Sequence, residues 1–238
     1  VGTCTIAANQ AGDDNWNAAT QVTQSITIGK GTNTITFPVQ PGRAFTTGGT
    51  FSIGPAATGL SSAAVTYSST TGGVCTVAGS TVTIVSVGTC TIAANQAGDD
   101  NWNAATQATQ NVTIGKGVNT ITFGAQAGQT YSADGTFAIS PLATATSGLA
   151  VTYTSTTASV CTVAGSTVTI VSAGTCTLAA DQAGDDNWAA APQVTQNVAI
   201  GQGTQTITFA DPGAQAVGTP LALSATASSG LTVSFAAT

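Results

Sequence analysis

Five cysteines and nine aspartates are the residues of this 238-residue chain whose types could do chemistry, and their spacing narrows what that chemistry is. Cys75 and Cys90 lie 15 residues apart, as do Cys161 and Cys176, while Cys4 stands alone. Metal binding by these thiols lacks its usual companions, since the chain has no histidine and no Cys-x-x-Cys spacing. Two readings remain: one disulfide per pair, or two reduced, buried cysteines in each core. We expect disulfides Cys75–Cys90 and Cys161–Cys176, because a hairpin after the first cysteine doubles back and delivers the second on the next strand. Closing a loop of that size stabilises by roughly 3 kcal/mol in the chain-entropy model, and such bonds imply an oxidising, extracellular location. Cys4 is expected to pair with a cysteine upstream of residue 1, so the odd count needs no reactive thiol.

Six of the aspartates sit in Gly12-Asp13-Asp14-Asn15-Trp16 and its copies Gly98–Trp102 and Gly184–Trp188. Asp13, Asp14, Asp99, Asp100, Asp185 and Asp186 are the candidate Ca²⁺ ligands, offering hard oxygens. Alternatively, Asp and Asn side chains cap their own turn and the tryptophan tucks its ring over the end of the fold. An exposed tryptophan serving as a carbohydrate platform is a third reading. The turn is the expected one, because Ca²⁺ wants carboxylates converging from separate segments. Only Asp181 offers another, and its counterparts are Asn9 and Asn95. Ca²⁺ is thus the one cofactor to weigh, and none is expected.

Catalytic chemistry lacks its usual groups. Histidine and glutamate are absent, which removes the commonest general base. Paired carboxylates occur only as sequence neighbours. The Gly-Lys-Gly segments are too short for a phosphate loop. Lys30, Arg43 and Lys116 are the only bases against a net charge of −6. No basic footprint for nucleic acid exists, and there is no apolar run long enough to span a membrane. The chain is expected not to be an enzyme.

These residues are positioned by a repeat. Residues 1–37 return almost unchanged at 87–123 and, with drift, at 173–209; the offsets are 87 − 1 = 86 and 173 − 87 = 86. A fixed period decides the architecture before anything else. Cutting at Gly29–Gly31, Gly115–Gly117 and Gly201–Gly203 gives the C-terminal part of one module (1–30), full modules 31–116 and 117–202, and the N-terminal part of another (203–238). Within 31–116 short strands are expected at Thr34–Phe37, Thr50–Ile53, Ala64–Ser69, Val74–Val77, Thr81–Val85, Thr89–Ala94 and Gln107–Ile114. Pro38–Gly49 reads as an edge segment or loop. Alternation of polar and apolar residues, and turns every few residues without helical periodicity, predict an all-β fold. Tandem immunoglobulin-like β-sandwich modules, strung as beads, are expected; a single closed barrel is the alternative.

The run 159–201, SVCTVAGSTVTIVSAGTCTLAADQAGDDNWAAAPQVTQNVAIG, followed by QTITF at 205–209, resembles the bacterial immunoglobulin-like repeats of large cell-surface proteins and adhesins. The likeness extends over the whole chain. It implies an extracellular stalk or adhesive array and not an enzyme.

Copies diverge at 38–63, 124–149 and 210–230, where Phe45, Tyr131 and Phe137 are the candidate binding residues for a glycan or protein ligand. Charged residues are only 5% of the chain, so lateral packing against copies of itself meets little repulsion. Neighbouring modules, and laterally associated copies, are the expected partners. The expected function is a structural stalk or filament, with an adhesin as the alternative. The chain reads as a window on a longer repetitive polypeptide. Its best-preserved stretch straddles a linker, so repetition preserves the geometry of the joint as well as the fold.

Overall fold

A computed structural model describes residues 1–237. It is all-β, without a helix among the described residues, and divides into two compact units. The first comprises Val1–Asn119 with Ala183–Ala190; the second comprises Thr120–Gln182 with Ala191–Thr238.

In the first unit a four-stranded sheet runs in the order Arg43–Ala44, Ala108–Gly115, Gly88–Asn95, Thr66–Ser69. The edge strand Arg43–Ala44 is parallel to its neighbour, and the other pairs are antiparallel. A three-stranded antiparallel sheet, Thr50–Ser52, Thr81–Ile84, Cys75–Ala78, supplies the other layer. Val82 and Ile84 from this layer meet Cys90, Ile92, Val112 and Ile114 from the first in one core with Phe37, Phe45 and Ile53. The period of two along each strand is what sends these residues inward together. A two-stranded hairpin, Gly2–Ala8 with Val22–Ile28, completes the unit.

The second unit repeats this order with Gln129–Thr130, Ala191–Gly201, Gly174–Gln182, Thr152–Ser155 and, opposite, Thr136–Ala138, Thr167–Ile170, Cys161–Ala164. Pairings recur at the sequence period: Cys75↔Ile84 becomes Cys161↔Ile170, an offset of 161 − 75 = 86. A further pair, Ile207–Phe209 with Ala225–Ala227, belongs to the same unit.

Each expected strand of 31–116 has an observed counterpart within two residues of its bounds, with Thr34–Phe37 and Ala64–Ser69 trimmed to Ile35–Thr36 and Thr66–Ser69. Thr58–Gly59, which pairs with Ile35–Thr36, was not expected. It is two residues long and lies in a stretch rich in glycine and serine, where periodicity cannot register. The tight turn of the hairpin 75–84 is the pair Gly79-Ser80, with Ala78 opposite Thr81 and Gly79 at φ 59°. Glycine at the first central position is what a type II′ hairpin requires.

The cysteines are bonded as Cys75–Cys90 and Cys161–Cys176, with Cα separations of 5.5 and 5.6 Å. Each bond joins the three-stranded sheet to an inner strand of the four-stranded one, and all four cysteines are fully buried. Cys4 is a free, exposed thiol in this structure.

Uncharged side chains satisfy the polar backbone that such short strands leave over. Gln40 Nε2 donates to the carbonyls of Pro38 and Pro55 while its Oε1 accepts from Gly54 N–H. Gln126 does the same for Gly124, Pro141 and Ser140. Tyr67 and Tyr153 hydroxyls accept from the N–H groups of Ala57 and Ala143.

The sheet-to-sheet bond sets a prediction. Replacing Cys75 and Cys90 together by Ala lowers the stability of the first unit by about 3 kcal/mol and leaves the second unchanged. Hydrogen exchange resolved by residue checks this: protection falls at Ile92 and Val82 but not at Leu178 and Val168. Equal loss in both units contradicts it.

Candidate functional site

The loop Gly98–Trp102 is built from its own first aspartate. Asp99 Oδ1 accepts from the N–H groups of Asn101 and Trp102 at 2.9 and 3.0 Å, and Gly98 takes a φ of 77° that suits glycine. Asp13 and Asp185 hold the same two bonds in their loops, at 2.9 and 2.9 Å and at 2.8 and 2.7 Å. Asp99 is also met by Ser62, whose N–H and Oγ–H donate to Oδ2 at 3.3 and 3.2 Å. The Asn101 N–H above all, with those of Ser62 and Trp102, holds the Asp99 carboxyl below its ordinary value. Among the described residues no three His, Cys, Asp or Glu side chains gather to hold a metal ion. Asp181 is occupied by Gln193, whose Nε2 donates to both carboxylate oxygens at 2.9 and 3.0 Å.

What the turn presents is a tryptophan and a row of backbone groups, and a glycine linker receives them. Gly31 N–H donates to Asn101 O at 2.8 Å, and its carbonyl accepts from Asn103 N–H at 3.0 Å. Trp102 lies close enough to Gly31 that a Cβ there would stand 2.9 Å from the ring. Lys30 Nζ donates to Asp99 O at 2.8 Å, and the amino group of Val1 donates to Asn101 Oδ1 at 3.0 Å.

The arrangement recurs 86 residues on. Gly117 exchanges bonds with Asn187 O and Ala189 N–H at 2.9 and 3.0 Å. Lys116 Nζ donates to Asp185 O, and Val87 N–H donates to Asn187 Oδ1 at 2.9 Å. Here an aromatic joins in: Phe45 meets Trp188 edge to face at a centroid distance of 5.5 Å. A Cβ on Gly117 would lie 2.5 Å from Phe45 O and 2.7 Å from the Trp188 ring, so the linker glycine is required by close approach on two sides.

The candidate binding residues fall in different places. Phe45 is buried at 6% exposure under Trp188. Phe137 is half-buried against the core of the second unit. Tyr131, the counterpart of Phe45, is 36% exposed. Trp16 is 76% exposed, while Trp102 and Trp188 are half-buried. Arg43 stacks over Phe51, 5.1 Å from the ring centroid, on an edge strand where a charge discourages further strand pairing. Beside the divergent segment of the second unit an apolar groove of about 700 Å³ is lined by Leu142, Leu149, Val151 and Tyr153 among others. Sequence reasoning placed the tryptophan over the end of the fold and the lysines in linkers but did not join the two. The joining signal was present, since Lys-Gly and Asp-Asp-Asn-Trp recur at one period.

Two antiparallel layers of four and three strands, with a parallel edge strand beside the last strand, define an immunoglobulin-like sandwich. No family model matches the chain, and no curated protein matches it. Among solved structures it is similar to Drosophila N-cadherin EC1-3 at 10% identity and a TM-score of 0.29, over 76% of this chain and 73% of that one. The C-terminal 282-residue fragment of intimin, solved in complex with the translocated intimin receptor intimin-binding domain, matches at 17% identity and a TM-score of 0.25, over 63% and 55%. Domains 1–6 of the surface layer protein SbsC match at 13% identity and a TM-score of 0.26, over 87% and 30%. Likenesses this low carry no weight on function, and the fold is read from the chain's own strand order.

The lowered pKa of Asp99 gives a signed expectation. Because the folded value is depressed, the carboxylate's contribution to the loop is present above the ordinary aspartate pKa of about 3.9 and is lost as pH falls through the lower folded value. Exchange protection at the Asn101 and Trp102 amides is expected to hold at neutral pH and to fall in acid below that range. In Asp99→Ala the protection is already reduced at pH 7 and no longer varies with pH. Protection that is unchanged by the substitution contradicts the capping role.

Proposed function

We propose that the chain is a non-catalytic structural repeat array of an extracellular stalk or filament, with modules 31–116 and 117–202 each stapled by one disulfide. The observation that carries this reading is the recurring clasp, in which the loop 99–103 holds Lys30 and Gly31 and the loop 185–189 holds Lys116 and Gly117. Each linker is tied at its glycine and its lysine. The period then preserves the joint because the joint is what a stalk uses. Disulfides in small cores support an oxidising, extracellular setting, and the modest module size explains the staple. The six loop aspartates act as turn caps and their neighbours, with no metal called for. Cys4 would take the place that Cys90 and Cys176 hold in their modules, paired with an upstream cysteine.

A second reading, an adhesin engaging a glycan or protein through the divergent segments, has the apolar groove beside Leu142 and Tyr153 in its favour. Negatively stained micrographs of the secreted protein separate the two. Long filaments of uniform width are expected. Single stalks ending in a distinct tip support the adhesin instead, and hydrolytic activity from the purified chain contradicts the non-catalytic reading outright.

A further inference from the structure

Asn111-Val112-Thr113 is the only Asn-x-Ser/Thr triplet in the sequence, and neither the clasp nor the disulfides use it. We propose that Asn111 is an N-glycosylation site that takes its sugar from a glycosyl diphosphate, and that of the two complete modules only 31–116 carries the glycan. The inference rests on the extracellular reading above, because the triplet is an acceptor in secreted chains.

The structure presents the triplet on an open face. Asn111 lies on the strand Ala108–Gly115, an inner strand of the four-stranded sheet of the first unit. Val112 and Ile114 point into the core and are buried, while Thr109, Asn111 and Thr113 are exposed. Residues i and i+2 of a strand share a face, so the amide of Asn111 and the hydroxyl of Thr113 stand next to each other on the outward side. Thr91 sits opposite Asn111 in the register and donates its Oγ1–H to Asn111 Oδ1 at 2.8 Å. That bond holds the carboxamide by its oxygen and turns the Nδ2 end away from Thr91. A sugar on Nδ2 therefore disturbs neither the core nor the backbone ladder.

The repeat supplies its own comparison. Asn197 holds the matching place 197 − 111 = 86 residues on and is exposed as well. Thr177 lies opposite and donates to Asn197 Oδ1 at 2.9 Å. Residue 199, however, is alanine. In the first copy, Ser25-Ile26-Thr27 keeps the hydroxyl and loses the amide. Only Asn111 has both groups. Both are needed, since an amide nitrogen is a weak nucleophile and the hydroxyl two residues on is what marks an asparagine as an acceptor. In the transfer, Nδ2 forms a bond to the anomeric carbon as the bond from that carbon to the diphosphate oxygen breaks. The diphosphate leaves with the bonding pair, and Nδ2 gives up one proton. Transfer belongs to synthesis, before the ladder to Gly88–Asn95 forms. The glycan also has a physical use. Charged residues are only 5% of the chain, and a hydrated sugar on this threonine-rich face supplies the barrier to lateral association that charge usually gives.

The test takes the full chain from the cells that produce it and from their medium, with Thr113→Ala and Ala199→Thr made by the same route. Non-reducing peptide mapping by mass, before and after an amidase that converts glycosylated asparagine to aspartate, reads the sites and the disulfides together. A glycan at Asn111 and none at Asn197 is the expected result. Thr113→Ala loses the glycan, and Ala199→Thr gains one at Asn197. A uniform preassembled oligosaccharide assigns the donor to a lipid-linked diphosphate, and a short hexose chain assigns it to a nucleotide sugar; either supports the site. A bare Asn111 in chains whose Cys75–Cys90 bond has formed overturns the inference and leaves the extracellular reading standing. A bare Asn111 with both cysteines reduced overturns the two together. A glycan that persists on Asn111 in Thr113→Ala contradicts the assignment to the triplet.

Discussion

A covalent bond between two layers is the constraint on which each sandwich depends. Cys75 and Cys90, and likewise Cys161 and Cys176, tie a three-stranded layer to an inner strand of the opposing sheet. Many strands are two to four residues long, too short to hold register by ladder hydrogen bonds alone, and a core of this size is marginal without a staple. With the two layers pinned, Val82, Ile92, Val112 and Ile114 can close on one another. The chain spends almost no charge on this. Glutamine and tyrosine side chains take the backbone groups left open by the prolines and glycines of the segments 38–59 and 124–145.

The same economy governs the linker. A tryptophan needs a flat apolar seat, and a glycine with no Cβ provides one at van der Waals distance. The Asx turn that aims the tryptophan also lines up the carbonyls that the linker amide and the lysine ammonium seek. One short loop therefore satisfies a ring, two backbone groups and a cation. Asp99 shows the electrostatic side of this, with its carboxyl held below the ordinary range by the N–H groups it caps. Residues that would otherwise read as a Gly-Lys-Gly spacer are thereby hydrogen-bonded in place within the first unit.

Much of the fold was legible because the sequence writes it more than once. The spacing of 15 between cysteines and the turn between Val74–Val77 and Thr81–Val85 gave the hairpin and the bond across it, and the alternation of polar and apolar residues gave the strands. Thr58–Gly59 was illegible, because two residues carry no period. Gln40 and Gln126 were also passed over, since an uncharged glutamine in a divergent segment looks like surface until its three hydrogen bonds are seen. The clasp was half legible. Recurrence flagged Lys116, Gly117 and Trp188, but only tertiary structure shows residue 188 reaching back 71 positions to residue 117. For the same reason Phe45, picked out from its divergent segment, lies beneath that tryptophan.

The claim at the centre is that the linker glycines are held by the tryptophan loops. Amide hydrogen exchange at Gly117 and Gly31 reads this most directly, because their N–H groups are donated to Asn187 O and Asn101 O. Protection at both glycines approaching that of strand amides such as Val112, and lost at Gly117 when Trp188 is changed to Ala, is the predicted result. Exchange at the rate of an unstructured glycine in the unaltered chain would contradict the clasp and, with it, the reading of the period as a preserved joint.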